Sequence, residues 1–433
     1  MVDLCSELTP HLQSQRLPGL DLGDGFIYPQ YGGQSILNLP ATICRIFGAP
    51  SLAGEALFPS ILEPIMELGS GEIRQVILVL MDALGLHRLQ HYLTHNEIPL
   101  WNRLVNEGLL APLTSITPST TSAALTTLWT GCSPAAHGIA GYELWLKEYG
   151  LVANMIRHTP MSFKADGRGG SLSQAGFQPE QFMPLPTLGP HLSRHGIQTY
   201  AFQHSSIFRS GLSQMLFKGV DVKSFSGQSD LWVNLRKFIE NESGQRRYIW
   251  VYWGDVDYLS HLYGPDDERT AAEFVAFSEA FERLFLSKLS PKARQGTLLL
   301  FSADHGQITT PNDPHYDLRN HPNLVRRLHI YPTGENRLAY LFIRPGQSEA
   351  VREYIQRTWP GQFSLVDPGY AIHSGLFGPG APHPALADRL GDLVVVGRGN
   401  AYLWWGHSPN PIIGRHGGLS PDEMVVPLLA LRL

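Results

Sequence analysis

Three short apolar runs, each leading into acidic residues or glycine, constrain the fold of this chain more than any other feature. They extend from Val76 to Gly85 (VILVLMDALG), from Arg247 to Asp257 (RYIWVYWGDVD) and from Thr297 to Gly306 (TLLLFSADHG). Apolar runs of this length are typical of strands that are covered on both faces, as in a parallel sheet, and they are short for buried helices. A fourth run begins at Asp392 (DLVVVGRGNAYLWW).

Helical patterns lie between these runs. Residues 229–242 and 278–289 carry leucine and phenylalanine at helical spacing, and Ser229 and Asp230 can each cap the first of these helices. Strands that alternate with helices are typical of α/β domains. We therefore predict an α/β fold in which helices flank a mostly parallel central sheet.

The distribution of glycine and proline predicts the domain organisation. The stretch at about 142–196 is punctuated by both residue types, which indicates a loop-rich excursion over the sheet. Residues 311–384 carry a strand pattern (LAYLFI), a helix pattern (EAVREYIQRTW) and another strand pattern (FSLV), which indicates a small inserted α+β cap. We expect residues 1–310 and 385–433 to form the core that carries the site.

Composition excludes several classes of protein. Of the 433 residues, 43% are hydrophobic and only 16% are charged, which excludes a wholly disordered chain. The net charge of −5 disfavours a nucleic-acid-binding surface. Three scattered cysteines indicate a reducing compartment, and no apolar run approaches the ~20 residues that span a bilayer. Because the N-terminus also lacks the pattern of a targeting signal, we expect a soluble cytoplasmic protein with no membrane segment.

The candidate functional residues lie at the ends of the three runs. Asp82 ends the first run, Asp255 and Asp257 end the second, and Asp304 and His305 end the third. In an open α/β sheet, ligands bind at the edge where the carboxyl ends of the strands meet. A single aspartate after a strand is commonly a turn or cap residue. Carboxylates from three strands at one edge would repel one another unless cations neutralised them, so the set favours metal binding.

A second set of residues has a spacing that suits a metal ion. Asp257 and His261 are four residues apart, so both face one side if a helix begins there. The alternative is a helix-start aspartate beside an exposed histidine. His416, which lies between Arg415 and two glycines, can supply a third ligand, and a total of 18 histidines fits metal chemistry.

The segment TPSTTSAALTTLWTG, from Thr117 to Gly131, offers a candidate nucleophile. Its hydroxyl-rich start, from Ser119 to Ser122, leads into a helical pattern, so these side chains can simply cap the helix. A hydroxyl at a helix N-terminus beside a metal ion would instead ionise more easily and attack phosphorus. Both interpretations are open from these residues alone.

The ordered set of motifs resembles the alkaline phosphatase superfamily, and within it the type I phosphodiesterase/nucleotide pyrophosphatase family. The set consists of an aspartate after the first strand, a helix-start threonine followed by Thr130-Gly131 and His137-Gly138, then Asp-x-x-x-His, Asp-His and a late His-Gly. It extends from Asp82 to His416 and so covers most of the chain. The motif TPSTT aligns with the family's Phe-Pro-Ser-Lys-Thr segment, whose last residue is the nucleophile.

The resemblance implies a site with two divalent metal ions, zinc or alternatively manganese. The implied ligands of the first ion are Asp82, Thr121, Asp304 and His305, and those of the second are Asp257, His261 and His416. Thr121 would be the nucleophile, with Thr120 as the alternative if the alignment is shifted by one residue. The implied reaction is hydrolysis of a phosphodiester or pyrophosphate bond in a small-molecule phosphate ester, through a covalent phospho-threonine.

Two features depart from the family pattern. The family places an asparagine shortly after its His-Gly, whereas the corresponding position here is at about Tyr142, so the donor to a phosphoryl oxygen differs. The motif CSPAA at Cys132 is similar to the start of the sulfatase signature, but Ala136 stands where that signature has arginine, and we reject a sulfatase. Asp255 belongs to neither ligand set; it is expected to orient another ligand or to cap a turn.

Alternative functions on the same scaffold are a phosphomonoesterase or phosphonate hydrolase, a phosphate-transferring mutase, and a non-catalytic binding protein that retains the fold. Competent residues at all seven ligand and nucleophile positions argue against the binding protein. Four basic residues in or just after the excursion can meet a phosphate or form ordinary solvated surface. They are Arg157, Lys164, His204 and Arg209.

Overall fold

The apolar runs of the sequence form central strands of an α/β fold in the computed structural model, which describes residues 2–68, 71–95, 97–161, 171–241 and 245–433. The strands are, in chain order, β1 Val2–Asp3, β2 Gln75–Met81, β3 Leu109–Thr114, β4 Glu143–Leu146, β5 Leu151–Asn154, β6 Thr159–Pro160, β7 Gln198–His204, β8 Asp221–Phe225, β9 Arg247–Trp253, β10 Thr297–Ser302, β11 Ile308–Thr309, β12 Thr333–Glu335, β13 Leu338–Leu341, β14 Phe363–Val366, β15 Leu393–Gly397, β16 Gly414–Arg415 and β17 Val425–Arg432.

Helices connect and cover these strands. They are α1 Cys5–Ser14, α2 Leu39–Ile46, α3 Pro59–Glu67, α4 Leu86–His95, α5 Pro99–Glu107, α6 Thr121–Thr130, α7 Pro134–His137, α8 Pro179–Phe182, α9 Leu188–Arg194, α10 Gly211–Leu216, α11 Gln228–Asn241, α12 Asp255–Tyr263, α13 Glu268–Ala280, α14 Pro291–Arg294, α15 Pro322–Val325, α16 Ser348–Thr358, α17 Pro368–His373, α18 Leu386–Leu390 and α19 Pro421–Met424. None of the helices in the described ranges is long and apolar enough to cross a membrane.

The central sheet has the strand order β1-β3-β17-β10-β2-β9-β7-β8. The predicted mostly parallel sheet is confirmed, with one difference: β17 pairs antiparallel to both of its neighbours, which makes the sheet mixed. All residues of β2, β9 and β10 are buried, as their apolar sequences require. In the register, Leu80 of β2 lies beside Tyr252 of β9 and Ser302 of β10. The three strands therefore end at one edge.

The two predicted helical segments are present with one irregularity. Residues 228–241 form α11, and Leu231 and Leu235 are buried as the pattern predicts. In the second segment α13 ends at Ala280, and one π turn over Phe281–Phe285 follows. Both terminal phenylalanines of this turn are buried, so the apolar stripe still packs on the core.

A second, antiparallel sheet has the strand order β14-β15-β13-β12-β4-β5-β6. The strand, helix and strand expected within residues 311–384 are β13, α16 and β14. The sheet also takes β4 to β6 from the stretch at about 142–196 and β15 from the fourth apolar run. The expected boundaries assign those four strands to the core, whereas pairing places β15 between β13 and β14, which covers its apolar residues. The division into domains stays a prediction.

The second sheet is held against the main core by alternate side chains. Leu338 and Tyr340 of β13 pack in the main core, whereas Ala339 and Leu341 pack in a smaller apolar cluster with residues of α16. This is the two-residue period of a strand covered on both faces. The hairpin of β12 and β13 is therefore fixed beside the central sheet.

Candidate metal and active site

The common edge of the central strands brings the predicted residues together. Asp82 follows β2, and its backbone N–H donates to the Trp253 carbonyl oxygen at the end of β9. Asp257 lies in the first turn of α12, directly after β9, and Asp304 and His305 follow β10. The short strands β11 and β16 pair with each other. His416 comes directly after β16.

One group consists of Asp82, Asp304 and His305, whose possible ligand atoms all lie within 4.8 Å of one another. His305 Nε2 lies 3.3 Å from Asp82 Oδ1 and 3.5 Å from Asp304 Oδ2. The Thr121 hydroxyl lies 3.2 Å from His305 Nε2 and 3.5 Å from Asp82 Oδ2. All four side chains predicted around the first ion thus meet at one point.

The second group consists of Asp257, His261 and His416, again with possible ligand atoms within 4.8 Å of one another. Asp257 and His261 share one side of α12, with His261 Nε2 3.4 Å from Asp257 Oδ2. His416 Nε2 lies 3.7 Å from Asp257 Oδ1. The rings of His305 and His416 stack with centroids 3.8 Å apart, so the two groups are neighbours.

The orientation of the three histidines suits metal binding. Each ring places Nδ1 within hydrogen-bonding distance of a backbone carbonyl oxygen: Gly306 for His305 at 3.0 Å, Gly414 for His261 at 2.8 Å and Ser119 for His416 at 3.0 Å. With Nδ1 donating to these carbonyls, the Nε2 lone pair of each ring points toward the carboxylates. Carbonyl oxygens behind ligating histidines commonly fix the tautomer and ring orientation in this way.

Two carboxylate oxygens at the centre of the site are in a position to bind a cation. Asp82 Oδ1 and Asp304 Oδ2 are buried and accept no hydrogen bond from the residues that the structure describes. Buried carboxylate oxygens without donors are costly, and a bound cation would satisfy them. Clusters of carboxylate and imidazole suit zinc, and manganese is compatible with the oxygen ligands. The residues present therefore fit divalent metal ions.

Burial and mutual repulsion shift the protonation of these groups. Burial, then the charge of Asp257, raises the pKa of Asp304 to about 7, and burial, then the charge of Glu335, raises the pKa of Asp257 to about 8. Burial and the neighbouring carboxylates also raise the pKa of Asp82. Burial, then the nearby imidazoles, holds the pKa of His416 well below its usual value. Cations would favour the ionised carboxylates and neutral imidazoles.

Sequence reasoning missed two hydrogen-bond donors to the central carboxylates. The Tyr252 hydroxyl donates to Asp82 Oδ2, and Gln307 Nε2 donates to Asp257 Oδ1 at 3.0 Å. In the sequence, Tyr252 stands out only as part of an apolar strand. Its position near the end of β9, just before the acidic residues, is the one signal that could have marked it.

A buried ion pair supports the segment that carries His416. Arg337 Nη2 donates to Glu423 Oε2 at 2.8 Å, and Glu423 Oε1 accepts a hydrogen bond from the Gly418 backbone N–H at 2.8 Å. Arg337 belongs to the β12–β13 hairpin, and neither charged side chain is exposed. The second sheet therefore helps to hold the loop with His416 in place.

Glu335 connects the same hairpin to the residue before the candidate nucleophile. Its carboxylate accepts a hydrogen bond from the Tyr142 backbone N–H at 2.7 Å and is hydrogen-bonded to the Thr120 side chain. Burial raises the pKa of Glu335 to about 8. Tyr142, at the position of the family asparagine, thus faces Glu335 through its backbone.

A cavity of about 410 Å³ opens beside the two groups, with Asp82, Thr121 and Asp257 in its wall. The remaining wall mixes apolar and polar side chains from α6, α10 and the chain that follows β5, β7 and β9. The apolar residues are Leu125, Ile156, Ile207, Leu212, Leu216 and Phe217. Arg157, His204 and Asp255 add polar groups to the wall. Arg209 lies instead over the Phe208 ring, and Lys164 falls outside the described residues.

The fold and the sheet-edge residues together define a member of the alkaline phosphatase superfamily. The model of the type I phosphodiesterase/nucleotide pyrophosphatase family matches residues 76–419, and the chain belongs to this family of metal-dependent hydrolases. The matched range includes every residue of both groups. Hydrolysis of phosphoester bonds is the activity that this membership supports.

Solved structures confirm the fold. Murine ectonucleotide pyrophosphatase/phosphodiesterase 5 is similar at a TM-score of 0.60 and 16% identity, over 82% of this chain and 87% of that one. Phosphonoacetate hydrolase from Sinorhizobium meliloti 1021, in complex with phosphonoformate, is similar at a TM-score of 0.60 and 17% identity, over 83% of this chain and 90% of that one. An inactive form of the murine protein has been solved in complex with AMP. No curated protein matches the chain significantly.

Proposed function

We propose that this chain hydrolyses phosphodiester or pyrophosphate bonds, with Thr121 as the nucleophile and a covalent phospho-threonine as the intermediate. The observation that carries the proposal is the position of the Thr121 hydroxyl. It lies at the first residue of α6, within 3.5 Å of both Asp82 and His305. The hydroxyl of Thr120, the alternative nucleophile, is hydrogen-bonded to Glu335 instead, which supports Thr121.

Two sets of side chains would hold divalent ions. Asp82, Thr121, Asp304 and His305 would hold one, and Asp257, His261 and His416 the other. We propose zinc, with manganese as the alternative, because both sets combine carboxylate and imidazole. Such ions would supply charge stabilisation at the oxygens around phosphorus and would lower the pKa of a hydroxyl or water.

The residues of the chain position the attack. Asp82 Oδ2 accepts hydrogen bonds from the Thr121 and Tyr252 hydroxyls, and this fixes the direction of the Thr121 hydroxyl. The N-terminus of α6 presents its first N–H groups and positive dipole end to the same place, which favours an alkoxide and an anionic phosphoryl group. The N-cap side chain, Thr120, makes no capping hydrogen bond that would occupy these groups.

The reaction then consists of two displacements. Thr121 Oγ1 forms a bond to phosphorus as the bond to the leaving ester oxygen breaks, and the leaving group departs as an alcohol or phosphate after it takes up a proton. Water next attacks phosphorus, the bond from phosphorus to Thr121 Oγ1 breaks, and the threonine hydroxyl regains its proton. The net reaction is hydrolysis of one phosphodiester or pyrophosphate bond by one water molecule, and the protein is regenerated unchanged.

The apolar cavity favours a substrate whose phosphorus carries an organic group. Six Leu, Ile and Phe side chains line it, together with serine, glutamine and acidic side chains and the single arginine Arg157. A small phosphonate with its own carboxylate would gain little from such a wall, because apolar surface rewards the burial of apolar groups. A diester with one organic substituent in the cavity fits this arrangement better.

A comparison of rates on matched substrates tests the type of bond. Purified protein with added zinc or manganese is assayed on an aryl phosphodiester, the matching aryl phosphomonoester and phosphonoacetate. We expect the diester to be cleaved fastest. Faster cleavage of the monoester would establish a phosphomonoesterase, and faster cleavage of phosphonoacetate a phosphonate hydrolase. If all three substrates stay intact while both metal sites are filled, the proposed activity is wrong.

A further inference from the structure

A third group of possible metal ligands lies away from the candidate active site. His91, His95 and Glu97 are all exposed, and their possible ligand atoms lie within 4.8 Å of one another. The two histidines occupy the last turn of α4, whereas Asp82 lies before its first residue. A helix of this length separates the two ends by roughly 15 Å. This group is therefore independent of the metal sites proposed above.

The two imidazoles are arranged side by side on one face of the helix. They are four residues apart, and their ring centroids lie 4.3 Å from each other. His95 Nδ1 lies 2.9 Å from the His91 carbonyl oxygen. A proton on His95 Nδ1 donates to this carbonyl, which leaves the Nε2 lone pair for a ligand, as behind the histidines of the candidate active site.

A carboxylate completes the group. Glu97 Oε1 lies 3.5 Å from His91 Nε2, beyond the end of α4 and just before α5. An exposed ion pair of this kind contributes little by itself. Two imidazoles and one carboxylate form a ligand set that zinc uses in proteins, with water in the remaining position. The site also lies at the C-terminal end of a helix, where the helix dipole favours a cation.

We propose that His91, His95 and Glu97 form a surface binding site for a zinc-type divalent ion. The ion joins the last turn of α4 to the residue that leads into α5. Because the ligands are exposed and water completes the coordination, the ion exchanges more readily than one in the buried groups.

A second histidine pair of the same spacing provides a contrast. His191 and His195 are also four residues apart, at the end of α9, with ring centroids 5.0 Å from each other. His191 is buried, however, and its Nε2 lies 2.8 Å from the Pro50 carbonyl oxygen. Among the described residues no carboxylate joins this pair in a group of three ligands. Spacing alone therefore does not create the proposed site.

The test counts bound zinc on tag-free, full-length protein by isothermal titration calorimetry, followed by elemental analysis. We expect the His91→Ala/His95→Ala variant to bind one zinc ion fewer than the wild type, with unchanged turnover and unchanged circular dichroism. His195→Ala, the matched control, should keep the wild-type count. Glu97→Gln should lower the affinity for this one ion at least about tenfold. Even the loss of a residue that only supports a metal ligand typically has an effect of this size.

Equal zinc counts and affinities for the wild type and the double histidine variant would overturn the proposal. Because the readout is the difference between variants, it does not depend on the ligand sets proposed for the active site. Cobalt gives a second readout. The wild type should show an additional absorption band from cobalt bound to imidazole that the double variant lacks, and the same band in both proteins would contradict the site.

Discussion

At the scale of single residues, the two oxygens of Asp82 have different surroundings. Oδ2 accepts hydrogen bonds from the Tyr252 and Thr121 hydroxyls, and Oδ1 has no donor in the described part of the chain. Tyr252 thus fixes the rotation of the carboxylate and leaves Oδ1 for a cation. Burial and the adjacent carboxylates keep the pKa of Tyr252 well above its usual value, so it remains a donor.

Replacement of Tyr252 tests this division of roles. We expect Tyr252→Phe to lower zinc affinity or turnover about 10- to 100-fold, because the carboxylate loses the partner that orients it. Zinc affinity is measured by competition with a chelator and turnover with the preferred ester. Tyr248→Phe is the matched control on the same strand, since the buried Tyr248 hydroxyl has no partner among the described residues. Equal effects of the two substitutions would contradict the role of Tyr252.

At the scale of elements, the β12–β13 hairpin supports the site from outside the central sheet. Glu335 ends β12 and contacts Thr120, while Arg337 holds Glu423 and, through it, Gly418. Close backbone contacts add to this support. A Cβ atom on Gly306 would lie 1.9 Å from the Asp422 carbonyl oxygen, so only glycine fits after His305. The positions of both histidine-bearing loops therefore depend on distant elements.

Removal of one partner of the buried ion pair tests the support by the hairpin. We expect Arg337→Leu to lower the free energy of unfolding by about 3–5 kcal/mol, because Glu423 would remain buried without its partner. It should also weaken the binding of the zinc ion proposed at His416 more than the binding of the other proposed ion. Denaturant unfolding and zinc competition measure the two effects.

The exposed pair of Lys147 and Asp388 provides the control for this experiment, since both side chains are about half exposed. Lys147→Gln should change the free energy of unfolding by less than about 1 kcal/mol and leave zinc binding unchanged. Equal weakening of both zinc ions by Arg337→Leu would show that the hairpin has no specific effect on the His416 loop.

At the scale of the whole molecule, the concentration of buried carboxyl groups makes stability depend on pH. Asp304 and Asp257, with pKa values raised to about 7 and about 8, keep protons in the folded, metal-free protein that the unfolded chain loses near pH 4. The folded state then binds more protons than the unfolded state, so its stability falls as the pH rises. The site histidines have lowered pKa values, so their protonation affects the stability only below about pH 6.5.

We therefore expect the metal-free protein to lose stability between about pH 7 and pH 8, by up to about 1.4 kcal/mol per pH unit for each proton concerned. Zinc should stabilise the protein more at the higher pH, because its ligands are then already deprotonated. Urea unfolding of the metal-free and zinc-loaded protein at both pH values measures this. A rise in the stability of the metal-free protein over the same interval would contradict the electrostatic description.

The central strands β2, β9 and β10 and most residues of the two candidate ligand groups can be predicted from the sequence. Burial on both faces makes β2, β9 and β10 visible as apolar runs, and strand ends at one edge bring Asp82 and Asp304 together. The four-residue spacing of Asp257 and His261 predicts their common side on α12. These features depend on neighbours in the chain, which is why they can be predicted.

Other features depend on residues far apart in the chain. The strands β4 to β6 are two to four residues long and only partly buried, so their periodicity is too short to indicate a sheet. The partners Tyr252 and Asp82 are 170 residues apart, and Arg337 and Glu423 are 86 residues apart. No local pattern marks such pairs, because the first contact arises only when β2 and β9 pair in the central sheet, and the second only when the second sheet packs on the core.

The most direct test of the proposed mechanism is turnover of Thr121→Ala with the zinc content measured on the same sample. We predict that this variant keeps the zinc ions but loses at least about a thousandfold in kcat, because no hydroxyl remains to attack phosphorus. Thr121→Ser, which keeps a hydroxyl, should retain measurable turnover and give a phosphorylated serine on rapid quenching. Turnover of Thr121→Ala near the wild-type rate would contradict Thr121 as the nucleophile.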